Sequence, residues 1–377
     1  MLRFSALSCP SCGGPLPFEA LMRVVTCAYC GATVAAADGL VSAAAYRRAR
    51  AELDEAARER AEVWVADVPY RLLGRLGSGE SSEVFLAERA HRITERVVLK
   101  VLRARDDASL VDHEWRVLSR LASSTVEGAP QMTRRLPQLV ARGTAKGRLE
   151  ERPALVLRAA SGFVHTFEEV RAAHPSGVGA RHAVWMWRRI LELLGWVHRA
   201  GFAHGAVLPQ HLLVHARDHG VMLVGWSCSA RIDGRATLAA VCARSAELYP
   251  AWAARGPLDA RLDLAMSARA IATVLGGDAG GRVPAAVPAP LAELVRSAAE
   301  APPSDAWALE DAVTSAAREL FGPPRYEPFS MPGVARLTTG RERWDTATTA
   351  RRRTRRSPEA ARACRGRRCS RSASATR

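Results

Sequence analysis

A chain of 377 residues, 48% of them hydrophobic, has room for two domains and a proper core, and no apolar run approaches the roughly 18 residues of a membrane helix. The opening MLRFSALSCP carries one arginine and too short an apolar stretch for a signal peptide, so a cytoplasmic protein is expected. The net charge of +16 is unevenly placed, because residues 351–377 hold eleven arginines against one glutamate, a net +10 that leaves +6 for the rest.

Residues 1–38 read as one unit. CPSCGGPL and CAYCGATV place Cys9, Cys12, Cys27 and Cys30 as C-x2-C, fourteen residues, C-x2-C. Each pair spans a tight turn, with Gly13 and Gly31 directly after the second cysteine, where a positive φ is cheap. Two such turns face to face offer four thiolates in a tetrahedron, the geometry zinc prefers. The segment resembles a zinc ribbon, which implies a structural Zn²⁺ held by the four cysteines. A redox pair and two disulfides are the competing readings, and the cytoplasmic expectation disfavours both.

Residues 39–67 are expected to be a helical spacer. VSAAAYRRARAELDEAARERAEVW is alanine-rich and sets Arg48/Glu52, Arg50/Asp54 and Arg58/Glu62 at i,i+4, which supports a solvated helix without a core.

From Val68 the pattern becomes strand-like in YRLLGRLG, SEVFLAERA and RVVLKVLRA. ASLVDHEWRVLSRLAS then has helical spacing, with Leu110, Trp115, Leu118 and Leu121 toward one side. RPALVLRAA reads as a strand and residues 180–200 as a long amphipathic helix. Two short strands fall within HLLVHARDHGVMLVGW, and helices continue to about Phe321. A small sheet-rich lobe thus precedes a larger helical one.

Within this stretch LGSGESSEVFLAE sets Gly77, Gly79, Ser82 and Val84 on a G-x-G-x-x-[GS]-x-V frame between two strands, where glycines let backbone amides lie over phosphates. Sixteen residues on, in VVLKV, stands Lys100. It is one of only two lysines, with Lys146, in a chain of 52 arginines and no asparagine, so its retention is informative. Glu114 follows on the next helix. This ordered series resembles the eukaryotic-like protein kinase superfamily over residues 68–321.

The resemblance implies an α+β, bilobal fold with a β-rich N-lobe and a helical C-lobe. It implies that Lys100 would hold the nucleotide phosphates and pair with Glu114. Val84, Val98 and Leu213 would sandwich an adenine ring, and Arg158, Ala159 and Ala160 would form the hinge. Leu118, His204 and Trp226 would stack through the core, and Asp263 would anchor the catalytic-loop backbone.

The catalytic loop departs from the pattern. In the family's H-R-D-L-x-x-x-N loop the aspartate accepts the substrate proton and the asparagine helps hold Mg²⁺. HGAVLPQHLLV instead supplies Gly205 for the arginine, Ala206 for the aspartate, Leu208 for the usual lysine and His211 for the asparagine. Gly225-Trp226-Ser227 replaces D-F-G. Codon bias explains a lost asparagine or lysine, but not two lost aspartates in a chain that uses aspartate freely. Glu80 and Glu83 are expected to add negative charge beside an ATP tail, which would further oppose catalysis. Asp218 and Asp233 read as turn residues, and histidines 204, 211, 215 and 219 read as core and turn residues before they read as a metal site.

The arginine-rich end of residues 322–377 has too few apolar residues to order itself, and reads as a solvated tail, a frame-shifted end, or an arm for an acidic surface. Three functions remain open. The first is a catalytically impaired, pseudokinase-like signalling or scaffold protein with a protein partner, its nucleotide binding retained without Mg²⁺. The second is an unusual active Ser/Thr kinase using ATP. The third is a nucleic-acid-binding adaptor working through ribbon and tail, which steep salt dependence of DNA or RNA binding would reveal.

Overall fold

A computed structural model describes residues 24–26, 33–35, 62–89, 95–238, 240–253 and 258–331. The chain divides into two units, residues 1–332 and 333–377, and the second falls outside the described residues. So do the four ribbon cysteines. Of the first 61 residues only a short antiparallel hairpin is described, β1 (Val24–Thr26) on β2 (Thr33–Ala35), and Cys27 and Cys30 lie between these strands in sequence.

The N-lobe is a closed six-stranded barrel. Its strands are β3 (Val63–Val65), β4 (Val68–Ser78), β5 (Ser82–Arg89), β6 (Arg96–Leu102), β7 (Leu139–Gly147) and β8 (Arg152–Arg158), joined in the order β3-β4-β5-β6-β8-β7. The expected spacer helix does not extend through Val63–Val65. Val63 and Val65 point into the barrel with no exposed surface while Trp64 between them faces outward, a period of two that suits β-branched residues. Ala66 and Asp67 turn the chain back into β4 at positive φ, and Glu62 gives its carboxylate to the Leu72 N–H and to Arg148. The kinase-like region therefore begins ahead of residue 68. β7, which pairs with both β3 and β8, has no clean alternation in its sequence and went unread.

β6 shows how the barrel presents the site. Val97, Leu99 and Val101 fill the barrel interior, so Val98 and Lys100 face the other way, toward the second lobe. Helix α1 (Ala108–Ala122) follows and buries Glu114, Leu118 and Leu121. A single helical turn, α2 (Ala129–Met132), leads to β7.

After β8 come β9 (Phe163–Thr166) and α3 (Phe167–Ala173), which opens with a capping box between Thr166 and Glu169. Helix α4 (Ala180–Arg199) then runs through the helical lobe. β10 (Phe202–Ala203) precedes the loop of interest, and β11 (Leu212–His215) and β12 (Gly220–Leu223) form a sheet with β9 in the order β12-β11-β9. β13 (Ala230–Arg231) pairs back onto β10. Helix α5 (Ala260–Val274) is buried along nearly its whole length, and α6 (Ala289–Glu300) and α7 (Ala306–Phe321) complete the lobe. The indole of Trp187 on α4 donates to Ser267 on α5 at 3.1 Å, so a large buried aromatic keeps its N–H satisfied. Among the described residues no helix is long and apolar enough to cross a membrane.

Candidate functional site

Lys100, half-buried on β6, reaches the buried Glu114 of α1, with Nζ 2.6 Å from Oε2. The other carboxylate oxygen of Glu114 accepts the backbone N–H of Trp226 at 3.2 Å, and Lys100 also donates to Ser227 Oγ at 3.1 Å. One ion pair thereby ties β6, α1 and the 225–227 segment together. Sequence reading placed the pair but gave Ser227 no part in it, since a serine in that position carries no recognisable signal.

Val84 sits opposite Lys100 in the β5–β6 register, and Val98 lies two residues before it on the same face. Leu213 on β11 is likewise half-buried, so the three expected adenine contacts all keep surface exposed. At the hinge the N–H of Arg158 donates to Gln138 O at 2.8 Å and that of Ala159 to Arg96 O at 3.2 Å. An N–H donated to an adenine edge would therefore fall to Ala160.

The glycine loop is folded tightly. Gly77 pairs with Val84 across the β4–β5 hairpin, and the Gly79 N–H donates to Ser82 O at 2.8 Å, which occupies an amide that a phosphate would want. Nothing lies within 4 Å of where a Cβ on Gly77 would stand, so that glycine leaves open space. Glu80 at the tip accepts the Arg244 N–H at 2.7 Å, while Arg244 donates to Ser78 O at 3.0 Å. These bonds close the loop over the 242–244 segment. They also hold the Glu80 carboxyl below its usual range, the Arg244 and Ala243 N–H groups being the main cause. Glu83 pairs with Arg152 at 3.0 Å. The two glutamates thus do not act as free charges beside an ATP tail, because each already has a partner that offsets it.

Asp263 of α5 organises the 203–211 loop as expected. Its two oxygens accept the backbone N–H groups of His204 at 2.7 Å and Gly205 at 2.8 Å, and His198 Nε2 lies 2.9 Å from Oδ2. Burial pushes this carboxyl up, but the His198 contact, the nearby imidazoles and the backbone N–H outweigh it and hold it below its usual value. His198 was not anticipated, since a histidine at the end of an amphipathic helix looks like an ordinary surface residue.

His204 is fully enclosed, its ring 4.6 Å from that of Trp226. Its Nε2–H donates to Val224 O at 3.1 Å and its Nδ1 accepts the Ala206 N–H at 3.2 Å, the pattern of a neutral imidazole. Burial pushes its pKa down to about 3 from 6.5. The unfolded chain therefore takes a proton near pH 6.5 that the fold refuses until about 3, and stability should fall by about 1.4 kcal/mol per pH unit within that window. His211, His182 and His219 are displaced in the same direction, chiefly by burial, and steepen the slope. Denaturant unfolding at successive pH values should show this decline, and His204→Phe should flatten it by about one proton; an unchanged slope in that variant would contradict the assignment.

The positions that depart from the family's pattern have a definite geometry. Ala206 is buried and apolar, and Gly205 stands at φ +73° with a Cβ position 2.7 Å from the Cys228 carbonyl, so an arginine does not fit there. His211 donates from Nδ1 to Ala206 O at 2.9 Å. Gly225 lies at φ +80°, and a Cβ built on it would meet the His211 ring at 2.8 Å. The two replacements are thus coupled: the imidazole at 211 occupies the room that a side chain at 225 would need. Mg²⁺ prefers oxygen ligands in near-ideal octahedra, and a neutral imidazole beside a glycine offers it none.

Asp218 pairs with Arg217 in an exposed turn, and Asp233 caps its own turn through the Arg235 and Ala236 N–H groups. His215 and His219 lie at the β11–β12 turn, away from the His204–His211 pair, and no group of three metal-binding side chains occurs among the described residues.

The profile of the lipopolysaccharide kinase (Kdo/WaaP) family matches residues 56–225, which run from before the barrel to the glycine beside His211. No curated protein matches the chain. Among solved structures, the BubR1 kinase domain superposes with a TM-score of 0.52 at 13% identity, covering 68% of this chain and 82% of that one. A second kinase domain has a TM-score of 0.45 at 11% identity and covers 56% of this chain, which spans 64% of that domain's length. The barrel, the Lys100–Glu114 pair and the Asp263-anchored loop give residues 62–331 a kinase-like fold.

Proposed function

We propose that this protein is a catalytically impaired, pseudokinase-like signalling or scaffold protein whose cleft can take a nucleotide but cannot anchor its metal. The observation that carries this reading is the His211 ring packed against Gly225. It removes the space for a metal-binding carboxylate as well as the carboxylate itself. Phosphoryl transfer depends on positioning and on neutralising charge at the transferred group, and both fail without metal and base. What remains is a lysine already paired, apolar walls at Val84, Val98 and Leu213, and a glycine loop folded over the cleft.

The expected result is that ATP and ADP raise the melting temperature to a similar extent with or without Mg²⁺. Tightening of ATP binding by tenfold or more through a protein Mg²⁺ site, about 1.4 kcal/mol, would contradict the reading.

An active kinase is the second reading. The intact Lys100–Glu114 pair and the match to a kinase family favour it. The name of the matching family would then make a lipopolysaccharide hydroxyl the first acceptor to test, ahead of a Ser/Thr side chain.

The zinc proposal rests on cysteine spacing. Purified protein should carry about one zinc per chain, because a ribbon this small depends on its metal to fold. Elemental analysis should find it in the wild type and not in Cys12→Ser. Zinc retained in that variant, or absent from the wild type, overturns the assignment of Cys9, Cys12, Cys27 and Cys30.

A further inference from the structure

On the helical lobe a cavity of about 160 Å³ opens between α4, the end of α7 and the segment that follows it. Four arginines line it: Arg181 and Arg188 from α4, Arg318 from α7 and Arg325 from the segment beyond. The choice of arginine over lysine says nothing in this chain, but the absence of balancing carboxylates does. Arg188 is neutralised by Glu310 at 2.7 Å, and Arg181 lies over the Phe321 ring and donates to the Phe321 carbonyl. Arg318 and Arg325 are exposed and meet no carboxylate among the described residues. The one acid in the wall, Glu327, lies 3.8 Å from His182 and also faces His219, and burial holds both imidazoles below their usual pKa.

The rest of the wall is flat and apolar, from Val184, Trp185, Ala317 and Phe321. It is also rigid. His219, at φ +52°, lies parallel to Trp185 with centroids 4.2 Å apart and is covered on its other side by Tyr326, whose hydroxyl donates to Arg217 O. A non-glycine residue at positive φ persists only where its surroundings hold it. The volume exceeds what a single water fills.

We propose that this cavity binds a phosphate carried on a flat ring, the phosphate meeting Arg318 and Arg325 and the ring lying against Val184, Trp185 and Phe321. Two uncompensated guanidinium groups provide charge-assisted, fork-shaped donors suited to that oxyanion. The site is independent of the nucleotide cleft and of whether the protein transfers phosphate.

Calorimetric titration of the full chain with phenyl phosphate, inorganic phosphate and phenol tests it. Phenyl phosphate should bind saturably and tighter than either fragment. Arg318→Glu with Arg325→Glu should weaken it by about tenfold or more, as the loss of one good charged contact would, and Lys100→Ala should leave it unchanged. The milder pair Arg318→Gln with Arg325→Gln should show the same direction if the charge reversal disturbs folding. Equal binding of phenol, loss of binding in Lys100→Ala, or phenyl phosphate binding that survives both arginine pairs would overturn the proposal.

Discussion

Replacing Asp263 by alanine should cost about 3–5 kcal/mol of folding stability, because it strips a buried, fully partnered carboxylate from three donors at once. The His204 and Gly205 N–H groups would be left inside the fold, and an unsatisfied buried donor costs about 1–3 kcal/mol each. Asp263→Asn keeps the shape and one acceptor, so it should be clearly milder. Denaturant unfolding of the two variants measures the difference. A loss below about 1 kcal/mol for the alanine variant would mean that the loop is held by something other than this carboxylate.

The second large effect concerns chemistry. Restoring the base alone with Ala206→Asp should produce no measurable transfer, although a positioned base can be worth a factor of about 10² to 10⁴. Parts of a catalytic unit are far from additive, and the metal sites at 211 and 225 would still be absent. Gly225→Asp alone should fail for a further reason, since its Cβ would lie 2.8 Å from the His211 ring. Overpacking of this kind costs about 1–3 kcal/mol. Adding His211→Asn should recover most of that loss, because aspartate tolerates the left-handed backbone better than most residues and the clash is the larger part. The stability of Gly225→Asp and of the His211→Asn double variant therefore forms a coupled cycle. Only Ala206→Asp, His211→Asn and Gly225→Asp together should restore detectable transfer. The Glu80–Arg244 contact over the cleft is expected to limit its rate.

Much of this architecture was legible because kinase-like folds distribute short, chemically distinct residues along the chain in a fixed order. Lys100 stood out in a chain nearly free of lysine, and Glu114 and Asp263 carried enough context to be placed. An arginine- and alanine-rich stretch runs straight into Val63–Val65, and only barrel closure selects strand over helix there. Contacts such as Glu80–Arg244, Lys100–Ser227 and Asp263–His198 join residues 65 to 164 positions apart, and nothing in the local sequence marks them. The fit of His211 against Gly225 was invisible for a similar reason. Each substitution looked like a separate loss, whereas the ring of one fills the space vacated by the other.

The most direct test of the central claim is transfer of the labelled γ-phosphate from ATP by the wild-type protein, to itself, to a generic protein substrate and to lipopolysaccharide, beside Lys100→Ala and the triple variant. The account predicts no signal from the wild type above that of Lys100→Ala, and a signal from the triple variant. Transfer by the wild type that disappears with Lys100→Ala would contradict it, and would mean that the chain moves phosphate without the carboxylates lost at 206 and 225.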